Sequence, residues 1–306
     1  MYRWGTASLD ILRCLPFPGL EHPMGLTLRR LPSLLLCLAL LFTAGCSSLF
    51  FYPQKQERFN PAAQVFSPED IYFKTPDGIT LHGWLFVANP HAQGTILILH
   101  GNAENLSTHV NSVLWLIREG FNIFIFDYRG YGRSEGKPNL KGVHVDAEAA
   151  LKTVLGMPET IGKRVVVLGQ SLGGAIAVYT VANFPQKDRI AALALDSAFS
   201  SYRLIAREKL GLFFLTWPFQ YPLSFLFNDD YSPVKWISKV APVPVLIMQG
   251  VNDPVVPTHH GFLLYEAALM PKDFWNTSTP GHVMAFADED VRNKFVRYLS
   301  EHLGSL

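Results

Sequence analysis

The stretch Arg164–Phe184, RVVVLGQSLGGAIAVYTVANF, constrains the chain more than any other. Val165, Val166, Val167 and Leu168 form an unbroken apolar run, the pattern of a strand buried on both faces of a parallel sheet. Gly174–Phe184 reads as a helix of small and apolar residues. A chain that turns from strand to helix within one residue holds the residue at the corner, Ser171, in a strained backbone conformation. Side chains beside it would collide, and Gly169 and Gly173 remove them. The spacing is G-x-S-x-G, which exposes a serine hydroxyl above a sheet at the start of a helix. The helix N-terminus there favours developing negative charge.

The rest of the chain suits such a sheet. With 306 residues, 49% of them hydrophobic and 17% charged, it can bury one large core, and α/β folds of this size are often a single domain. The net charge is +1, and no Lys/Arg run is interleaved with aromatics, so nucleic acid is not an expected partner. There is no internal repeat or low-complexity tract.

The N-terminus differs in kind. Arg29 and Arg30 precede the apolar stretch Leu31–Phe42, which is followed by Thr43, Ala44, Gly45 and Cys46. The stretch is shorter than the ~20 residues that a spanning helix needs, so residues 1–45 read as a targeting segment. A cysteine behind small residues resembles the lipobox of bacterial lipoproteins, with Thr43 standing where leucine is commoner. That resemblance implies a lipid anchor on Cys46. With Ser47 rather than Asp behind it, it also implies the periplasmic face of the outer membrane of a Gram-negative cell. An uncleaved anchor or an ordinary secretory signal is the alternative. Met24 stands suitably upstream of the arginines, which admits a start there and leaves residues 1–23 outside the fold. Cysteines occur only at 14, 37 and 46, so cleavage before Cys46 leaves no disulfide to form.

Residues 46–68 read as a polar linker and 69–306 as the main domain. Asp70–Thr75 and Ile79–Val87 flank the turn Pro76-Asp77-Gly78 and predict a hairpin. Short apolar strands follow at Thr95–His100, Phe121–Asp127, Arg164–Gln170, Ile190–Asp196, Val243–Gly250 and Lys272–Thr277. Helix-length segments separate them, near 104–118, 140–156, 172–184, 257–270 and 286–303. This alternation predicts an α/β fold with a mostly parallel central sheet and helices on both faces. Ligands bind such sheets beyond the carboxyl ends of the strands.

Chemistry is therefore expected at those ends. After Leu99 comes His100-Gly101-Asn102-Ala103-Glu104-Asn105, where glycine lets the backbone turn and aim a free N–H at the site. The N–H groups of Asn102 and Leu172 are the expected pair of oxyanion donors, with His100 a structural hydrogen-bonding residue. The loop Asp127–Gly136 matches neither phosphate-binding glycine pattern and reads as structural, with Asp127 paired to Arg129. Serine needs a base, and the base needs a carboxylate to fix its tautomer. The order Ser, acid, His selects Asp253 in GVNDPVVP and His282 in PGH. Asp196, at the end of the strand after the nucleophile's helix, is the competing acid. Asp229 and Asp230 read as solvated or capping residues, and His259 and His260 as a surface pair. A metal site from His259, His260, His282 and Asp253 lacks the usual ligand spacing, so no metal or cofactor is expected.

The motifs HGNAENL, FDYRGYGRSEG, LGQSLGG, LDSAFSS, PVPVLIMQGVNDPVVP and PGH together resemble the serine α/β-hydrolases of the serine-aminopeptidase-like branch. That branch includes membrane-associated depalmitoylases and monoacylglycerol lipases. The resemblance covers roughly Asp70–Leu303 and implies Ser171, Asp253 and His282 as a catalytic triad. It also implies a cap insert over the site, about 198–239, rich in aromatic and aliphatic residues. These side chains can face an acyl chain, seat the cap on the core, or touch a bilayer. The expected reaction is hydrolysis of carboxylic esters or thioesters of acyl, lipid-like small molecules through an acyl-enzyme on Ser171. Two alternatives stay open. One is a peptidase gripping a free amino terminus with Glu104 or Asp196, and the other a catalytically idle lipid-anchored binding protein.

Overall fold

The computed structural model of the protein describes residues 50–58, 65–89, 91–160 and 163–304. Residues 1–45, read above as a targeting segment, and Cys46 and Ser47 lie outside the described residues. No described helix is long and apolar enough to cross a membrane.

The described strands are β1 (Tyr52–Pro53), β2 (Glu69–Lys74), β3 (Thr80–Phe86), β4 (Gly94–Leu99), β5 (Ala103–Glu104), β6 (Phe121–Phe126), β7 (Val165–Gln170), β8 (Ile190–Asp196), β9 (Val245–Gly250) and β10 (Lys272–Thr277). Eight of them form one sheet in the order β10-β9-β8-β7-β4-β6-β3-β2. The ladder is parallel from β10 through to β6, and the hairpin β2–β3 joins it antiparallel. Alternate strand residues enter cores on opposite faces. Leu97, Leu99, Val165, Val167, Leu193 and Leu195 pack on one side, and Ile96, Ile98, Val166, Leu168, Ala192 and Ala194 on the other. This two-sided burial explains the unbroken apolar runs of the central strands.

The described α-helices are α1 (Leu106–His109), α2 (Trp115–Arg118), α3 (Leu140–Leu155), α4 (Leu172–Asn183), α5 (Tyr202–Gly211), α6 (Gln220–Ser224), α7 (Pro233–Trp236), α8 (His259–Ala267) and α9 (Glu289–Leu303). The segment expected to be one helix near 104–118 is broken into α1 and α2 by a 3-10 turn at Val110–Ser112. Ser112 Oγ donates back to the His109 carbonyl at 2.9 Å, a local bond that competes with helix continuation.

The expected pairing of Asp127 with Arg129 does not form. Arg129 lays its guanidinium on Asp146 of α3 and on Asp77 of the hairpin turn, each at 2.8 Å. Asp127 instead accepts the Leu106 N–H at 2.8 Å and sits 3.3 Å from His100 Nε2. The planar fork of arginine favours two carboxylates placed for it over the nearest one in sequence.

The stretch read as linker is tied to the domain over the residues described from Phe50 on. β1 pairs parallel with β5, Tyr52 opposite Ala103, and forms a second, two-stranded sheet.

Candidate active site

Ser171 stands between β7 and α4 with φ +53°, a left-handed conformation that an L-residue adopts only when its surroundings impose it. The two glycines have the role expected of them. A Cβ on Gly169 would lie 2.6 Å from Gly174 Cα, and one on Gly173 would overlap the Leu99 carbonyl. The Ser171 N–H donates to the Asp196 carbonyl at 2.9 Å, which ties the corner to the end of β8.

Leu172 is the first residue of α4, so its N–H lacks an intrahelical acceptor. Among the described residues the Asn102 N–H meets no acceptor either. Both residues border one cavity with Ser171. The loop that carries Asn102 is held from several sides. Its carbonyl accepts Tyr131 Oη–H at 2.7 Å and the Tyr52 N–H at 2.9 Å. His109 Nε2–H donates to the Ala103 carbonyl at 2.8 Å, and burial pushes the His109 pKa down to about 4, so the ring stays neutral. His100 is fully buried and bonded through Nδ1 to the Gly101 carbonyl at 2.8 Å, the structural role read from the sequence. Tyr52, Tyr131 and His109 escaped the sequence reading, because a residue that supports a loop from outside carries no motif of its own.

The loops after β9 and β10 meet. His282 Nδ1 lies 2.8 Å from Asp253 Oδ2, and Asp253 Oδ1 accepts the N–H groups of Val255 and Val256 at 2.8 and 2.9 Å. Burial acts to raise the Asp253 pKa, yet the His282 and backbone hydrogen bonds overcome it and hold the carboxyl below its usual range. An ionised Asp253 only accepts, so Nδ1 carries the proton and Nε2 is left as the basic nitrogen. The loop of His282 reaches the elbow through one further link. The Val283 N–H donates to Ser197 Oγ at 3.2 Å, next to the Asp196 whose carbonyl holds Ser171. No hydrogen bond joins the Ser171 hydroxyl to His282 in this resting geometry. Such bonds are often long in free enzymes and tighten with substrate seated.

Asp196, the competing acid, is fully buried and makes no bond to His282. Its Oδ1 accepts from Ser197 Oγ at 3.2 Å and its Oδ2 is unpartnered. Burial pushes its pKa up to about 7. The two carboxyls are thus separated by environment, Asp253 anionic and Asp196 protonated over most of the acidic range.

Above Ser171 lies a cavity of about 460 Å³, walled by Phe50, Phe199, Ile205, Leu210, Phe213 and Phe227 among others. The cap aromatics do not mainly seat the cap. Phe214, Phe225 and Tyr221 are 76%, 68% and 62% exposed, whereas Phe227 is buried. Asp229 accepts from Ser201 Oγ at 2.7 Å, from Ser232 Oγ, and from the Arg203 N–H in the first turn of α5.

His259 and His260 are not a surface pair. His260 is fully buried, and both Nε2 atoms face Glu208 of α5, at 2.8 and 3.0 Å. These three side chains converge closely enough to hold a metal ion. However, the Ser200 N–H donates to His260 Nδ1 at 3.1 Å, which puts the neutral ring's proton on Nε2, the atom a metal would need bare. The cluster therefore fits a hydrogen-bonded latch between α5 and α8 better than a metal centre. Asp253 and His282 pair with each other and take no part in it. Glu104, one of the carboxylates considered for gripping an amino terminus, is paired with Arg58 at 2.8 Å.

Comparison with known proteins gives the family. The profile of the alpha/beta hydrolase fold matches residues 94–223. The uncharacterized protein YfhR of Escherichia coli K12 is 34% identical over 243 residues, 78% of this chain and 81% of that one. The alpha/beta hydrolase domain-containing protein WAV2 of Arabidopsis thaliana is 36% identical over 222 residues, 70% of this chain and 71% of its own. Among solved structures, the Pyrococcus furiosus esterase Pf2001 superposes with a TM-score of 0.65 at 21% identity, covering 83% of this chain and 97% of that one. At that identity the likeness speaks for the fold. With a parallel sheet, a serine at the strand-to-helix corner and relatives matched over most of their length, the chain belongs to the α/β-hydrolase family.

Proposed function

We propose that the protein is a serine hydrolase of the serine-aminopeptidase-like branch that cleaves carboxylic esters or thioesters with apolar acyl groups. Ser171 Oγ attacks the carbonyl carbon while His282 Nε2 takes its proton. The carbonyl oxygen becomes an oxyanion and rests on the N–H groups of Asn102 and Leu172. Collapse of the tetrahedral intermediate breaks the bond to the alcohol or thiol, which leaves with the proton from His282. Water then gives a proton to His282, attacks the acyl-Ser171 carbonyl, and frees the carboxylic acid and the serine. Asp253 orients the imidazole and stabilises its charged form throughout.

The observation that carries this reading is the 2.8 Å pair Asp253–His282, linked through Val283 and Ser197 to the strained corner at Ser171. The apolar cavity bordering Ser171 supports an acyl substrate. Ser171→Ala should abolish labelling by a fluorophosphonate probe and turnover of p-nitrophenyl esters. Labelling that survives the substitution refutes the nucleophile. The sequence also supports an envelope location, anchored by lipid on Cys46. Incorporation of labelled palmitate should be lost in Cys46→Ala, and incorporation that persists rules the anchor out.

A further inference from the structure

The residues just ahead of the hydrolase domain are built into the candidate site. Phe50 packs edge-on against Tyr202 and Phe227, with ring centroids 5.2 and 5.5 Å away, and stacks on Phe199 at 6.3 Å. Phe199, Phe227 and Phe50 all face the cavity that Ser171 borders. The Phe50 ring is held there by the chain that follows it. The Tyr52 N–H donates to the Asn102 carbonyl at 2.9 Å and the Gln54 N–H to the Glu104 carbonyl at 3.0 Å. Asn105 Nδ2 donates to the carbonyls of Gln54 and Gln56 at 3.0 and 2.8 Å, and the Arg58 N–H to Ser107 Oγ at 2.9 Å. An ion pair of 2.8 Å between Arg58 and Glu104 closes the strap. A segment bonded at this many points over so few residues is a fixed wall rather than a tether.

We infer that Phe50, positioned by the strap from Tyr52 to Arg58, forms an acyl-chain subsite and sets which chain lengths the enzyme prefers. The inference rests on the acyl-ester reading and goes beyond it by naming the residue that measures the chain. The phenyl ring occupies cavity space that methylenes of a longer acyl group would otherwise fill. Each methylene that finds an apolar contact raises kcat/KM about fourfold, and each one refused forfeits that gain. A smaller residue at position 50 therefore extends the preferred chain and a larger one shortens it. The wall comes from outside the sheet and the cap, although its ring packs on the cap residues Phe199, Tyr202 and Phe227.

The test is the ratio of kcat/KM for p-nitrophenyl laurate over p-nitrophenyl butyrate in the full chain, with Phe50→Ala and Phe50→Trp beside the parent. Phe50→Ala should raise this ratio at least tenfold and Phe50→Trp should lower it. Circular dichroism and thermal unfolding establish that each variant is folded. Phe50→Leu and Phe50→Tyr take their places if either is not. An unchanged ratio in folded variants of both kinds overturns the subsite. A parent that takes up no fluorophosphonate on Ser171 fails differently, since it removes the serine reading and the subsite with it.

Discussion

Asp253 Oδ2 and His282 Nδ1 lie 2.8 Å apart although 29 residues separate them in the chain. The separation is bridged by parallel pairing. β9 and β10 run side by side with Gly250 opposite Thr277, so the loops that leave them emerge at the same edge of the sheet. Asp253 to Asn should preserve this shape but let the amide donate to Nδ1, forcing the proton to Nε2, where the base is needed bare. Ester turnover should fall by roughly a thousandfold to ten-thousandfold in kcat. Steady-state kinetics with a p-nitrophenyl ester checks it, and a loss below tenfold would move the acid elsewhere.

Tyr131 holds the donor loop rather than any substrate. Its hydroxyl donates to the Asn102 carbonyl at 2.7 Å, so Tyr131→Phe should loosen the residue whose N–H the proposed mechanism assigns to the oxyanion. Loss of a whole donor costs about 100-fold or more, and loosening one should cost about tenfold in kcat. KM should stay put, because the ground-state carbonyl needs the donor less than the oxyanion does. A change confined to KM would contradict this.

Gly173 tolerates no side chain. In Gly173→Ala the new methyl overlaps the carbonyl of Leu99, which is backbone of the central strand β4 and cannot move aside. Destabilisation of about 3 kcal/mol or more is expected, at or above the top of the usual overpacking range because the neighbour is fixed backbone. Urea unfolding followed by circular dichroism measures it, and near-parent stability would show that the corner yields.

Asp196 should make stability depend on pH. Its carboxyl is pushed from an ordinary 3.8 up to about 7 by burial. Between those values the folded protein keeps a proton that the unfolded chain has released, so stability falls as pH rises through the window. At about 1.4 kcal/mol per unit of pKa, Asp196→Asn should be more stable than the parent at pH 8 by about 2–4 kcal/mol. At pH 4 the two should be nearly alike. Unfolding midpoints at both pH values decide it, and a difference independent of pH would mean that the charge is not the cause.

How much of this was legible depended on whether the cause was local. The buried strands announced themselves as apolar runs, and the corner by its glycines, because each signal lies within a few residues of its effect. Chain order and a place just beyond strands singled out Asp253 and His282, and the structure pairs them at 2.8 Å. The partner of Arg129 was not singled out, since Asp146 lies on the far side of a loop and a helix turn. His260 looked like surface because its burial depends on Glu208 and Ser200, which only the packing of α5 on α8 brings near. The cap aromatics left three readings open in the sequence, and their exposure speaks against the one in which they mainly seat the cap on the core. β1 has only two residues and no periodicity to read.

The strap also fixes where the catalytic unit starts. A shortened form cut back to Glu69, the first residue of the main sheet, would look complete by its strands. It would nevertheless strip Asn105 of the carbonyls of Gln54 and Gln56, Glu104 of Arg58, and the cavity of one side. Any shortened version meant to keep that side of the cavity has to begin at or before Phe50, and a tag fused there would stand beside the cavity wall.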